Sequence, residues 1–300
     1  MTNPELLIAT MILMALAAVS LAAEPATPAG VRTETVVYKK TPQGELSIHL
    51  SYPPGWKASD RRAGIVFFFG GGWQGGTVEQ FAPQAAYLAG RGMVTACADY
   101  RVRSRHKTTP IACVEDGKSA VRWLRARAKR LGIDPARIVA SGGSAGGHVA
   151  ACTAMIAGLD AAGEDTAVSS QPNLLVLYNP VMDMTTAGIA RRVGSPDKAR
   201  SISPVHHVAK GIPPAILYYG SADKFLDGAR AFFAKANSLG LPVEVHLAPG
   251  AGHGFFNRPP WLQRTSYLTD RFLTRHGCLQ GQPTVKLPEG KLVMEKLPAK

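Results

Sequence analysis

The chain has 300 residues, 46% of them hydrophobic and only 18% charged, which excludes a chain too polar or too short to bury a core of its own. Lys and Arg number 34 against 21 Asp and Glu, a formal net charge of +13 that favours anions and acidic polymers as partners and says nothing about the fold.

The chain opens on Leu6 to Ala23, a near-continuous apolar run that ends in small residues, with Ser20-Leu21-Ala22 or Leu21-Ala22-Ala23 as the cleavage box. We read residues 1–23 as a signal peptide, although Glu5 has the wrong sign for its leading segment. Neither box is followed by Cys. The expected compartment is periplasmic or secreted, with no stable membrane partner after cleavage. Residues 24–35 read as a linker.

"TETVVYKK" and "GELSIHLSYP" flank a Pro-Gln-Gly turn and predict an antiparallel hairpin. Beyond it, continuous apolar runs alternate with helical spacing: strand "AGIVFFF", helix "VEQFAPQAAYLAGRG", strand "MVTACADY", helix "PIACVEDGKSAVRWLRARAKRLG", strand "RIVAS" and helix "AGGHVAACTAMIAG". Strands "NLLVLYN", "PAILYYG" and "PVEVHLA" follow, with helices "FLDGARAFFAKANSLG" and "PWLQRTSYLTDRFLTRHG". Strands apolar on both faces, interleaved with helices, imply an α/β domain whose mostly parallel sheet is covered on two sides. That domain spans residues 36–277, and 278–300 reads as a peripheral tail. The segment from Asp183 to His207 would form a short cap.

Gly142, Ser144 and Gly146 make a GxSxG between a buried strand and a helix, the setting of a nucleophile elbow. Neither nucleotide phosphate pattern is complete here, so a phosphate cradle is not expected. A serine hydroxyl needs a base, and two later strand ends offer one: Asp223 in "GSADKFLDG" and His253 in "GAGHGFF". The chain order Ser144, Asp223, His253 fits that elbow, with Asp227 as the second choice for the acid. "FFFGGGWQGG" supplies Gly70, Gly71 and Gly72, whose N–H groups could turn toward an oxyanion, with the Ala145 N–H completing the hole. Trp73 is expected either to line the substrate pocket or to cap the core.

Taken together, "GGGW", "DYRV", "EDGKSAVRWL", "GGSAGGHVA", "ISPVHHV", "PPAILYYGSAD" and "GAGHGF" give the chain a strong resemblance to the α/β-hydrolase superfamily. Within it the chain resembles the microbial esterases similar to hormone-sensitive lipase and to acetylxylan and feruloyl esterases. The resemblance implies an α/β-hydrolase fold with an eight-stranded sheet, and Ser144, Asp223 and His253 as catalytic residues. It also implies Gly71, Gly72 and Ala145 as oxyanion donors and a carboxylesterase activity without cofactor or metal. One position departs: the branch carries His before the glycines, and this chain has Phe69, which puts the hold on that loop in question.

The remaining polar residues have plainer readings. His148 is expected to pack one turn past Ser144. His206 and His207 lack a spacing for metal, and Cys97 reads as a small buried residue. Arg122, Arg125, Lys129 and Arg130 read as a solvated helix face. Nucleic acid is not an expected partner; a small-molecule or carbohydrate ester is, with short acyl groups such as acetyl or feruloyl favoured by the small cap. A prolyl-oligopeptidase-like peptidase and a non-catalytic polyanion-binding relative are the competing readings.

Overall fold

The computed structural model describes residues 29–290 and 293–298. The expected signal peptide, 1–23, lies outside the described residues, as do residues 24–28 of the linker. Among the described residues no helix is long and apolar enough to cross a membrane.

The hairpin forms as expected, β1 (Arg32–Thr41) pairing antiparallel with β2 (Gly44–Tyr52). Next come β3 (Arg62–Phe68), α1 (Ala82–Gly90), β4 (Val94–Ala98) and the short α2 (Arg103–His106). Helix α1 starts later than its apolar spacing implies, behind a 3-10 turn at Val78–Phe81, because Pro83 lacks an N–H and fits only a first helical turn. The long basic helix divides into α3 (Pro110–Ala126) and α4 (Ala128–Leu131), the second ending at Gly132 in the left-handed region. There follow β5 (Ile133–Gly143), α5 (Ala145–Met155), β6 (Leu174–Tyr178), α6 (Ala187–Val193), α7 (Pro196–Ser201), β7 (Ala215–Gly220), α8 (Leu226–Ser238), β8 (Val243–Ala248), α9 (Trp261–Arg275) and β9 (Glu295–Lys296).

The sheet order is β1-β2-β4-β3-β5-β6-β7-β8-β9, parallel from β4 through β8 and antiparallel at both margins. Among the described residues, nine strands therefore stand where eight are expected. The ninth comes from the segment read as a peripheral tail: Glu295 and Lys296 pair with β8, and Met294 is buried beside them. A two-residue strand with polar side chains carries no periodicity, so only its pairing with an existing edge defines it.

Apolar side chains fill both faces. Val114, Val121 and Leu124 of α3, Val149 of α5 and Phe232 of α8 pack on one side, with Leu88 of α1 and Phe272 and Leu273 of α9 on the other. The cap, α6 and α7, joins the first layer through Ile189, Val193 and Ala199. One expectation about this layer fails. Arg122 is buried, not solvated, and its guanidinium pairs with Asp160 at 2.6 Å and with Glu164. Those carboxylates sit on the long loop between α5 and β6, far along the chain, where helical spacing cannot reveal them. Lys129 and Arg130 do face solvent. Cys97, Cys113, Cys152 and Cys278 are all buried and unpaired.

Candidate active site

The parallel strands end at one edge of the sheet, and the loops there carry the chemistry. Strand β5 runs into α5 through Ser144, whose backbone sits at φ 53° and ψ −115°, outside the regions a non-glycine residue normally adopts. The surroundings hold it there: its N–H donates to the Tyr178 carbonyl at 2.9 Å, and its own carbonyl accepts from the His148 N–H at 3.0 Å. Gly146 lets α5 approach β3, since a Cβ there would lie 2.0 Å from the Phe68 carbonyl oxygen.

Asp223 follows β7 and His253 follows β8, and the structure brings both to Ser144. The Ser144 Oγ–H donates to His253 Nε2 at 2.8 Å, and His253 Nδ1–H donates to Asp223 Oδ2 at 2.8 Å. One imidazole tautomer satisfies both contacts. The Asp223 side chain is wholly buried and its other oxygen accepts the Phe225 N–H at 2.9 Å, so the carboxylate is fixed on both oxygens. Asp227, the second choice, is 95% exposed on the side chain and pairs only with Arg230. The edge of the His253 ring meets Phe225, with centroids 5.1 Å apart.

The glycine loop lies opposite. Gly71 has φ 123°, and a Cβ there would sit 2.2 Å from the Gly75 carbonyl oxygen, so the turn closes only on glycine. The Gly71 carbonyl accepts the N–H of Gln74 and Gly75. Among the described residues, the N–H groups of Gly71 and Gly72 meet no acceptor. The Ala145 N–H belongs to the first turn of α5, where no intrahelical carbonyl is available. Three donors thus remain unspent around Ser144.

Phe69 answers the question its departure raises. Its ring is buried and stacks on Tyr100, centroids 4.2 Å apart, while the Tyr100 hydroxyl donates to the Phe69 carbonyl at 2.6 Å. The Gly70 N–H donates to Gln80 Oε1, and Gln80 Nε2 donates to Asn257 Oδ1 at 3.3 Å. Gln80 therefore ties the glycine loop to the loop after His253. Asn179, at the end of β6, accepts the Gly254 N–H at 3.1 Å. Sequence reasoning passes over Gln80, Tyr100 and Asn179, because an amide in a loop and a phenol after a strand carry no spacing signal. The tyrosine of "DYRV" comes nearest to a clue, since it closely follows a strand.

Trp73 is buried, and it is among the residues that line a cleft of about 320 Å³ containing Ser144 and His253. Its Nε1–H donates to His148 Nδ1 at 3.3 Å, and His148 Nε2–H donates to the Ile202 carbonyl at 2.7 Å. Burial disfavours the imidazolium, lowering the His148 pKa from 6.5 to about 4, against a smaller opposing effect of the Ile202 carbonyl. Among the described residues no cluster of His, Cys, Asp or Glu could hold a metal ion.

A strained serine on a strand-to-helix turn, relayed through histidine to a buried carboxylate on a parallel sheet, defines the serine-hydrolase class of α/β folds. Residues 51–186 match the BD-FAE family model. The apo form of Thermogutta terrifontis esterase 2 is 44% identical, covering 87% of this chain and all of that one, with a TM-score of 0.81. The same esterase with propionate bound is 44% identical over 86% of this chain and 98% of that one, TM-score 0.80. Carboxylesterase NlhH of Mycobacterium tuberculosis is 26% identical over 234 residues, 71% of this chain and 72% of that protein. The chain belongs to the α/β-hydrolase serine esterases. It is a carboxylesterase-type hydrolase, and its reaction is the hydrolysis of carboxylic esters.

Proposed function

We propose that the protein hydrolyses short acyl esters, with acetyl or feruloyl groups on carbohydrate as the substrates in view, through an acyl-enzyme formed on Ser144. The observation that carries this is the unbroken relay from Ser144 Oγ to His253 to Asp223, 2.8 Å at each step, opening on the cleft. His253 Nε2 takes the hydroxyl proton as Oγ attacks the ester carbonyl. Asp223 holds the ring in the Nδ1–H tautomer and balances the imidazolium. The carbonyl oxygen, now anionic, accepts hydrogen bonds from the N–H groups of Gly71, Gly72 and Ala145, each donor contributing about 2.7–4 kcal/mol to the transition state. His253 returns the proton to the departing alkoxide. Water then enters, gives its proton to His253 and splits the acyl-enzyme, releasing the acid and restoring Ser144.

Short acyl chains fit the cleft volume, its lining by Trp73 and Phe256, and a cap of only two short helices. Propionate in the similar Thermogutta terrifontis esterase 2 supports the same reading. The work would take place outside the cytoplasm, a view that rests on the Leu6–Ala23 run alone. The test compares wild type with Ser144→Ala on aryl esters of increasing acyl length, then on acetylated and feruloylated xylan. Activity should fall as the linear acyl chain lengthens and vanish in the variant; equal hydrolysis by both proteins would refute the assignment of Ser144.

A further inference from the structure

The cleft carries two cations that the ester chemistry does not use. Arg192, on the last turn of α6, reaches across from the cap, and its Nη1 donates to the Gly72 carbonyl at 2.9 Å. Lys224, next to Asp223, lines the same cleft with its Nζ 5.2 Å from the centre of the Phe225 ring. Among the described residues neither has a carboxylate partner, whereas Arg122, Arg101 and Arg91 elsewhere in the molecule all do. No Asp or Glu is among the residues lining the cleft, and the buried Asp223 beneath it is occupied by His253.

A guanidinium that spends one of its five donors on a backbone oxygen keeps a fork free for a planar anion. The Lys224 ammonium adds a point charge of the same sign in a cleft whose walls exclude part of the water. A neutral ester makes no use of either group. We propose that Arg192 and Lys224 are specificity-determining residues that select esters bearing a carboxylate in addition to the scissile group, as in an acylated sugar acid. This rests on the reading of Ser144, His253 and Asp223 as the reacting centre. The carboxylate lies in the cleft, bidentate on Arg192 and near Lys224, while the ester carbonyl points at the glycine loop.

Two substrate pairs test it, and they differ in which half of the ester holds the charge. 4-Acetoxybenzoate against 4-acetoxybenzamide places the charge on the leaving group; the phenyl monoester of adipic acid against methyl phenyl adipate places it on the acyl group. With kcat/KM normalised to each ester's hydroxide-catalysed rate, wild type should favour the charged member of at least one pair by about tenfold, chiefly through KM. That preference should shrink in about 0.5 M salt. It should fall at least about fivefold in Arg192→Gln and to a smaller extent in Lys224→Gln. Should Arg192→Gln fail to fold, Lys224→Gln and the salt series still decide. No preference in either pair, or a preference untouched by salt and by both substitutions, overturns the proposal. Failure of wild type to hydrolyse even the neutral members would instead strike the reading of the reacting centre.

Discussion

Acidification should loosen the lining of the active-site cleft through a single imidazole. His148 is wholly buried between Trp73 and Ile202, and its acceptor nitrogen already receives the indole N–H. Protonation would set two donors against each other where no water can intervene. The pKa is about 4 in the folded protein and 6.5 when the side chain is free, so the unfolded chain binds the extra proton first. The stabilisation from a neutral His148 is complete above pH 6.5 and is lost as the pH falls toward 4. Over that whole window the loss is about 3 kcal/mol at 1.36 kcal/mol per unit, and by about pH 5 it is already about 2 kcal/mol. Urea unfolding of wild type and His148→Gln between about pH 7.5 and 5 isolates the effect, because Gln can accept from Trp73 and donate to Ile202 without titrating. His246, also lowered by burial, titrates in both proteins and cancels. The wild type should lose about 2 kcal/mol more than the variant. Equal losses would mean that His148 already carries a proton in the native state, and the argument from burial would fail.

Asp223→Asn should lower kcat about 10⁴-fold by favouring the wrong imidazole tautomer, whereas Asp227→Asn should leave it within about twofold; stopped assays on an aryl acetate decide between the two carboxylates. Gln80→Ala strips the Gly70 N–H of its acceptor and frees the glycine loop from Asn257, so kcat should fall about tenfold with little change in KM, and steady-state kinetics with unaltered kcat would remove Gln80 from the hold on that loop. Gly146→Ala would drive a methyl group to 2.0 Å from the Phe68 carbonyl oxygen, a backbone atom that cannot yield. A cost above about 4 kcal/mol is expected, read as a collapse of the thermal transition or of soluble yield, and a variant with wild-type melting behaviour would contradict the close approach.

Much of this molecule is legible before folding is considered. Apolar runs of five to seven residues such as Leu174–Tyr178 and 63–69, bounded by turn residues, read as strands buried on both faces, and the helical segments interleaved with such runs point to parallel order. Ser144, Asp223 and His253 are each announced locally, by glycines on a strand-to-helix turn or by small residues after a strand. The reason is physical: an exposed nucleophile on a strained turn excludes neighbouring side chains, and that exclusion is written in adjacent positions.

Partnership is a different matter. That Asp223 and not Asp227 faces the imidazole was decided by which side chain the start of α8 buries, four residues making the difference between a wholly enclosed carboxylate and one in water. Tertiary packing likewise chose Arg122 for the interior, because Asp160 and Glu164 return to it from some forty residues away. It also built the Phe69–Tyr100 stack and the Gln80 bridge around the glycine loop, and recruited Glu295 and Lys296 to the sheet edge. Sequence periodicity records what a residue needs from its immediate neighbours. Hydrogen bonds and ion pairs between distant segments depend on where the folded backbone brings them, which no local pattern encodes.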